Sequence, residues 1–201
     1  VIKDASLLAL KNLTLSLLLV ALALFLMATN PVEVVWPTHV KPMLEAGYAN
    51  TLIGVLTAAY FFAIAFGASL SAHINRLFKR RHAITLTAVF ALMAAVQIAL
   101  ALQGNIFGFV AIFVLYSIIL GISETPASTI LHSCVKDHQR STLLSLRSLL
   151  QQLGAALGLV LVGAIAEVYS TPIAWMLAAA FLVVGAGLTV VLAMRIAGEK
   201  V

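Results

Sequence analysis

Residues Ser71 to His82 read SAHINRLFKRRH, and this stretch fixes the expected topology of the whole chain. It holds four of the chain's 12 lysine and arginine residues, namely Arg76, Lys79, Arg80 and Arg81, and long apolar stretches flank it on both sides. Lysine and arginine are held on the cytoplasmic side of a membrane, so a short basic segment between two apolar stretches predicts a cytoplasmic loop. The positions of the other loops then follow by alternation.

The composition excludes a soluble domain. Of 201 residues, 63% are hydrophobic and only 9% are charged, which would leave large apolar patches in water. A membrane span needs about 20 apolar residues, so this length allows roughly six spans. The net charge of +5 is carried beside these spans, which predicts contact with the inner leaflet of a lipid bilayer and no nucleic-acid partner. The single cysteine, Cys134, excludes an intramolecular disulfide.

The apolar stretches predict six transmembrane helices joined by short polar loops. We expect them at about residues 6–30, 49–72, 83–102, 106–131, 141–166 and 172–194. Residues 83–123 carry no charge and are too long for one crossing of a core about 30 Å thick, so they form two spans with a turn at Gln103–Asn105. Pro31 and Pro37 cannot donate backbone hydrogen bonds, which predicts a kinked or broken end for span one.

The distribution of charge and aromatic residues predicts the orientation. Every lysine and arginine except Lys41 falls on one side of the membrane, which places both termini in the cytoplasm. Four aromatic residues cluster at the opposite boundary: Trp36, Tyr48, Tyr169 and Trp175. We therefore expect a multi-pass protein of the plasma or inner membrane. Because the chain begins with Val1, we expect a processed chain or a piece of a longer one.

The two halves of the chain predict an internal repeat. Spans one to three and spans four to six are nearly equal in length, and an odd number of spans per unit requires inverted topology. The predicted fold class is an all-α integral membrane protein of six helices in two inverted three-helix repeats, an arrangement found in transporters. Small residues predict close helix packing at Gly67 in span two and at Gly154 and Gly158 in span five.

Two stretches carry a resemblance to a known family. Residues Ser71–Arg81 resemble the loop motif G-x-L-A-D-R-x-G-R-[KR]-x of the major facilitator superfamily. Asn75 takes the aspartate position, Arg76 the first arginine, and Ser71 and Phe78 replace the usual glycines, while Lys79, Arg80 and Arg81 form the basic run. Residues 140–158, RSTLLSLRSLLQQLGAALG, are similar to the penultimate helix of these proteins. The chain thus resembles the C-terminal six-helix half of such a transporter.

This resemblance implies a function and a set of partners. Spans one and four would line a central cavity, spans two and five would face the other half, and spans three and six would lie outermost against lipid. The basic loop would act as a gate near the start of span five. We expect secondary active transport of a small solute by alternating access, as proton-coupled efflux of drugs or metabolites. The partner would be an N-terminal six-helix half or a second copy, with no enzymatic activity and no cofactor.

Glu124 is the leading candidate for a proton or solute site. It is the only acid inside a predicted span, and a charge in the hydrocarbon core is costly enough to indicate function. Burial could raise its pKa enough for it to bind and release a proton. The alternative is a structural ion pair with Arg147 or another inner base. Ser117 lies seven residues earlier, on the same predicted helical face.

Further candidates lie near the cavity expected from the resemblance. Tyr60 and Tyr116 fall near the middle of their spans, where they could stack on a solute or fill space between helices. Asn30 and Glu33 lie at the predicted broken end of span one, where they could contact solute or form a plain loop. The H-x-C-x3-H pattern of residues 132–138 lacks a fourth ligand, so no metal site is predicted.

Two other functions remain open on the sequence alone. A self-contained six-helix channel or a non-transporting membrane scaffold would have the same composition. Saturable, gradient-dependent flux would distinguish a transporter from a channel, and stable partner binding without flux would indicate a scaffold. The triplets at Asn30 and Thr125 faintly resemble the paired Asn-Pro-Ala boxes of aquaporins, but the second lacks both the asparagine and a following arginine.

Overall fold

The computed structural model describes residues 12–44, 47–79, 81–134 and 139–198. The α-helices are α1 Leu13–Val40, α2 Ala49–Leu77, α3 His82–Ala101, α4 Ile106–Ser133, α5 Arg140–Val168 and α6 Thr171–Gly198, and a 3₁₀ turn, Lys41–Met43, follows α1. All six are long and apolar enough to cross a membrane. These ranges contain no β-strand. The predicted all-α membrane fold with six spanning helices is confirmed.

Helix α1 differs most from its predicted bounds. The sequence predicts its end near residue 30, but the helix continues through Pro31 and Pro37 to Val40. The helix is continuous, so the predicted break is wrong, and the kink stays a prediction. Each proline removes one backbone donor, which the rest of the helix tolerates. The helix is held instead by an apolar face, on which Val32, Trp36 and Val40 recur every four residues and are buried. Residues predicted to lie in a loop therefore lie on a helix.

Helix α2 also continues past its predicted end, into the basic segment. It ends at Leu77, so the first half of the motif is helical rather than part of a loop. The chain then turns at Lys79, which adopts a left-handed conformation with φ 52°. Its N–H donates to the carbonyl oxygen of Arg76 at 2.9 Å. A left-handed residue just after a helix reverses the chain direction in this way.

The helices pack in a regular pattern. Helix α1 contacts α5 and α6, helix α4 contacts α2 and α3, and α3 packs on α6. Helices α3 and α6 thus form a layer behind α1 and α4, with α2 and α5 at the flanks. When α1 is exchanged with α4, α2 with α5 and α3 with α6, each of these contacting pairs becomes another pair that is also in contact. That is the pairing expected of two equivalent three-helix units; their inversion stays a prediction.

Glycines mark the closest approaches between helices. An added Cβ on Gly67 would collide with the backbone of Ile118, and one on Gly158 with the backbone of Met27. Gly154, one turn before Gly158, meets α1 in the same way. Gly67 and Gly158 are 91 positions apart, and so are Met27 and Ile118, so the two crossings occupy equivalent places in the two units. Only a residue without a side chain allows backbones to approach so closely.

Candidate functional site

Pro126 interrupts the hydrogen bonds of α4 close to Glu124. Because proline has no N–H, the carbonyl of Ile122, four residues earlier, loses its helical donor. Ser71 of α2 replaces that donor: its buried hydroxyl donates to the Ile122 oxygen at 2.9 Å. The first residue of the motif therefore joins α2 to α4.

The rest of the motif extends this contact to α3. The side-chain amide of Asn75 donates to the carbonyl oxygen of Ser71 at 2.9 Å, and its Oδ1 lies 3.1 Å from Nδ1 of His82. Asn75 is buried. The basic residues Arg76, Lys79 and Arg81 are exposed, and Arg80 lies outside the described residues. The polar half of the motif thus connects three helices, while the described basic residues stay on the surface.

Glu124 forms an ion pair with Arg147, with Arg147 Nη2 lying 2.6 Å from Glu124 Oε2. Ser128 completes a closed set of bonds, since its hydroxyl donates to Glu124 Oε1 at 2.7 Å and accepts from Arg147 Nη1 at 3.0 Å. Arg147 Nε donates to Gln151 at 3.0 Å. The structure therefore shows the ion pair that the sequence offered as an alternative. The Arg147 side chain is 8% exposed and that of Glu124 is 63% exposed.

This set of four side chains spans a gap. Helices α4 and α5 are not among the closely packed pairs. The contact between them at this level is made by the side chains of Glu124 and Ser128 on one helix and Arg147 and Gln151 on the other. A bridge of side chains can break without repacking a helix interface, so it is a suitable place for a gate.

Helix α1 also carries an acid, Glu33. Because α1 continues through Pro31, Glu33 lies on a helix of spanning length, as Glu167 does near the end of α5, so the prediction that Glu124 is the only such acid is wrong. Glu33 is half-buried, and Tyr60 of α2 is one of its electrostatic neighbours. Helices α1 and α2, like α4 and α5, are not among the closely packed pairs. Glu33 and Tyr60 are thus electrostatic neighbours on two helices that do not pack closely.

Aromatic rings pack against one another where α1, α2 and α4 meet. The ring of Tyr60 stacks on Phe113 of α4 at a centroid distance of 5.6 Å and an interplanar angle of 17°. Trp36 of α1 meets the same phenylalanine at 4.8 Å. Phe113 thus holds α1 and α2 in reach of each other although the two helices do not pack directly.

The other predicted site residues have different surroundings. Tyr116 is fully buried and donates to the carbonyl oxygen of Thr29 at 3.2 Å. Ser117 is also fully buried, and its hydroxyl donates to Phe113 within its own helix at 2.7 Å. Ser117 therefore does not share one site with the exposed Glu124. Asn30 is half-buried on α1.

Sequence reasoning gave Glu33 too little weight and overlooked Gln97. The signal for Glu33 was the four-residue spacing of Val32, Trp36 and Val40, which indicates a helix despite the prolines. Gln97 was a lone amide in an apolar span. It is fully buried on α3 and donates to the carbonyls of Ala28 at 3.3 Å and Trp175 at 3.0 Å, which ties α3 to α1 and α6.

The two acids differ in their electrostatic surroundings. Glu124 is neutralised by Arg147, and within the described ranges this is the one ion pair between side chains. For Glu33, the described residues provide Tyr60 as a neighbour and no ion pair. A carboxylate at membrane depth is costly unless a proton or a cation neutralises it. Of the two, Glu33 is therefore the one whose charge the described part of the chain leaves uncompensated.

The protein-family model described as the Major Facilitator Superfamily matches residues 10–200 of the chain. The chain belongs to the major facilitator superfamily. Members of this superfamily are membrane transporters rather than enzymes, and six spanning helices fit one half of such a protein. No curated protein matches the chain. In this member of the superfamily, Glu33 lies on α1, the first helix of the first three-helix unit, and Glu124 lies on α4, the first helix of the second unit. In each unit the next helix along the chain, α2 or α5, carries the neighbour of the acid.

Proposed function

We propose that this chain moves a small solute across the cell membrane by alternating access, driven by a proton gradient. One observation carries the proposal. Two acids on spanning helices, Glu33 and Glu124, lie at helix pairs that do not pack closely, α1 with α2 and α4 with α5. An acid at such a gap can bind a ligand when the gap opens and lose it when the gap closes.

A second six-helix unit completes the proposed cavity. Helices α2 and α5 are the least buried of the six. Both expose large apolar side chains, among them Phe61, Phe62 and Phe66 on α2 and Leu153, Leu157 and Leu161 on α5. We propose that an N-terminal half of the same longer chain, or a second copy, covers part of these two faces. Lipid would then cover the remaining outer surface.

Glu124 is the proposed coupling residue. A proton on its carboxylate would remove the charge that holds Arg147, and the bridge between α4 and α5 would weaken. Deprotonation would restore the ion pair and close the gap. The exposure of the carboxylate supports this role, because a proton can reach it without unfolding a helix. We propose efflux of drugs or metabolites as the direction of transport.

Proton movement in liposomes tests this function before the solute is known. The natural polypeptide is reconstituted around a trapped pH-sensitive dye, and members of a library of drugs and metabolites are added. We expect saturable proton movement with at least one solute, which reverses when the gradient is reversed. Flux that never saturates would indicate a channel, and partner binding without any flux would indicate a scaffold.

The coupling role has a matched pair of variants. We expect Glu124→Gln to abolish solute-driven proton movement while the protein still folds, because the amide cannot exchange a proton. Glu167→Gln, the same change at an exposed position on α5, should leave it intact. Unchanged proton-coupled flux in the Glu124→Gln variant would refute the proposed coupling role.

A further inference from the structure

Three helices meet at His39, which lies in the last turn of α1. Its imidazole ring packs edge-on against the indole ring of Trp175 on α6, with the ring centroids 4.9 Å apart, and its centroid lies 5.9 Å from that of Phe109 on α4. Trp175 and Phe109 are fully buried, whereas His39 is half-buried, so part of it reaches the surface. This contact lies at the end of the bundle opposite the basic segment, because α1 ends and α6 begins there.

One nitrogen of the His39 ring has no hydrogen-bond partner. Its Nε2 atom is buried, and none of the described residues bonds to it. A neutral imidazole has one N–H donor and one acceptor, whereas the protonated ring has two donors. Nε2 therefore carries an N–H in the protonated ring whichever tautomer the neutral ring adopts. In the observed position this donor would be buried without an acceptor, which is unfavourable.

The helices that pack on His39 offer no charge to balance a proton. The first two turns of α4 and of α6 contain no acidic or basic residue. On α1, Glu33 lies six residues earlier, about 120° around the helix, and the exposed Lys41 that follows has the same sign as a protonated histidine. Glu45, farther along, lies outside the described residues. A charge without a partner is costly in an apolar contact, so the protonated ring is more stable in water.

We infer that His39 is a proton-sensitive lock that holds the end of α1 against α4 and α6. The neutral ring packs on Trp175, and the protonated ring moves into water and releases the contact. Histidine is the side chain that ordinarily changes its charge between pH 5 and 8. The charge distribution predicts that this end of the bundle faces outward, so the lock would respond to external pH. The inference needs only these contacts and does not depend on the proposed transport.

The fluorescence of Trp175 tests the lock directly. The chain has two tryptophans, Trp36 and Trp175. In the natural polypeptide, every tryptophan except Trp175 is replaced by phenylalanine, and the protein is placed in lipid nanodiscs. Acrylamide quenching and the emission maximum are then measured from pH 8 to pH 5. As the pH falls, we expect the quenching constant to rise at least twofold and the emission to shift to the red, with the steepness of a single proton, because the indole becomes accessible to water.

Four variants in this background assign the transition to His39. His39→Gln should keep the low quenching constant at every pH, because an amide does not titrate in this range. His39→Lys carries a permanent charge and should show at pH 8 the quenching that the parent shows at pH 5. His73→Gln, at an exposed histidine near the opposite end of the bundle, should keep the parent transition, and so should Glu45→Gln, since the lock requires no acid.

Folding of each variant is checked by size-exclusion chromatography and circular dichroism, and the parent titration needs no change at His39. The inference is overturned if the parent shows no transition, if His39→Gln shows the same transition, or if either control variant loses it. Dimmer emission from Trp175 at low pH without greater acrylamide quenching would also overturn it. In that case the protonated ring stays on the indole through a cation–π contact instead of leaving it.

Discussion

Ser71 illustrates how a single hydroxyl can replace a backbone donor. It donates to the Ile122 carbonyl that Pro126 leaves without its helical partner. We expect Ser71→Ala to lower the free energy of unfolding by about 1 kcal/mol, since a buried acceptor loses its bond. In a Pro126→Ala background, the restored backbone amide can serve the same carbonyl, so the loss should shrink. Equilibrium unfolding in mixed micelles measures both.

The control for this cycle is Ser69→Ala, because Ser69 is exposed and bonds only to its own helix, at the carbonyl of Phe66. It should be close to neutral in both backgrounds. If the cost of Ser71→Ala were the same with and without Pro126, the hydroxyl would not be replacing the missing amide.

Arg147 and Glu124 should be energetically coupled, but modestly. The carboxylate is 63% exposed, which limits the strength of the pair. A double-mutant cycle of Glu124→Gln and Arg147→Gln should give a coupling energy of about 1 kcal/mol. Chemical unfolding of the four proteins in the cycle provides this value. Strictly additive effects would show that the ion pair does not hold α4 against α5.

At the scale of helices, the glycine contacts give the sharpest expectation. A methyl group at Gly67 or Gly158 would meet the backbone of the facing helix, which cannot move as a side chain can. We expect Gly67→Ala and Gly158→Ala each to cost about 1–3 kcal/mol of unfolding free energy. On the same two helices, Gly54→Ala and Gly163→Ala meet no atom within 4 Å. These controls should be neutral or stabilising by up to about 1 kcal/mol, since alanine favours a helix.

Thermal unfolding of the four single variants decides this prediction. The two members of the contact pair should lose similar stability, because they occupy equivalent crossings in the two units. If Gly54→Ala and Gly163→Ala cost as much as the contact variants, the helix crossings described here would be wrong.

The number of helices could be predicted from sequence because an apolar stretch of spanning length has few alternatives in a bilayer. The end of α1 could not. Proline affects only the hydrogen bonding of its own helical turn. The burial of Val32, Trp36 and Val40 depends on neighbouring helices, whose positions cannot be deduced from the local sequence. The same limit applies to the small-residue faces. Their spacing predicts that a helix approaches closely, but not that α2 meets α4 or that α5 meets α1.

The two acids show the same limit in the site. The partnership of Glu124 with Arg147 could be foreseen, since counting along the helices places both near the basic loops. The neighbourhood of Glu33 could not, because Tyr60 lies 27 positions away on a helix that does not pack on α1. Of the two residues, Tyr60 also stacks on Phe113 of a third helix.

At the scale of the whole molecule, the two acids and their neighbours lie toward opposite ends of the bundle. Glu33 and Tyr60 are electrostatic neighbours near the end of α1, whereas Glu124 and Arg147 connect α4 with α5 near the basic loops. The packing pattern makes these two helix pairs equivalent under exchange of the three-helix units. A transport cycle that opens one gap while the other closes would use both acids in turn.

Site-specific labelling from the two sides of the membrane tests this cycle most directly. Single cysteines are introduced as Val34→Cys beside Glu33 and Thr125→Cys beside Glu124, both at exposed positions, in a background without other cysteines. A membrane-impermeant maleimide is applied to proteoliposomes with and without a solute that drives flux. The account predicts that this solute raises the labelling rate at one position and lowers it at the other. Rates that change together, or that stay constant while the solute crosses, would contradict alternating access.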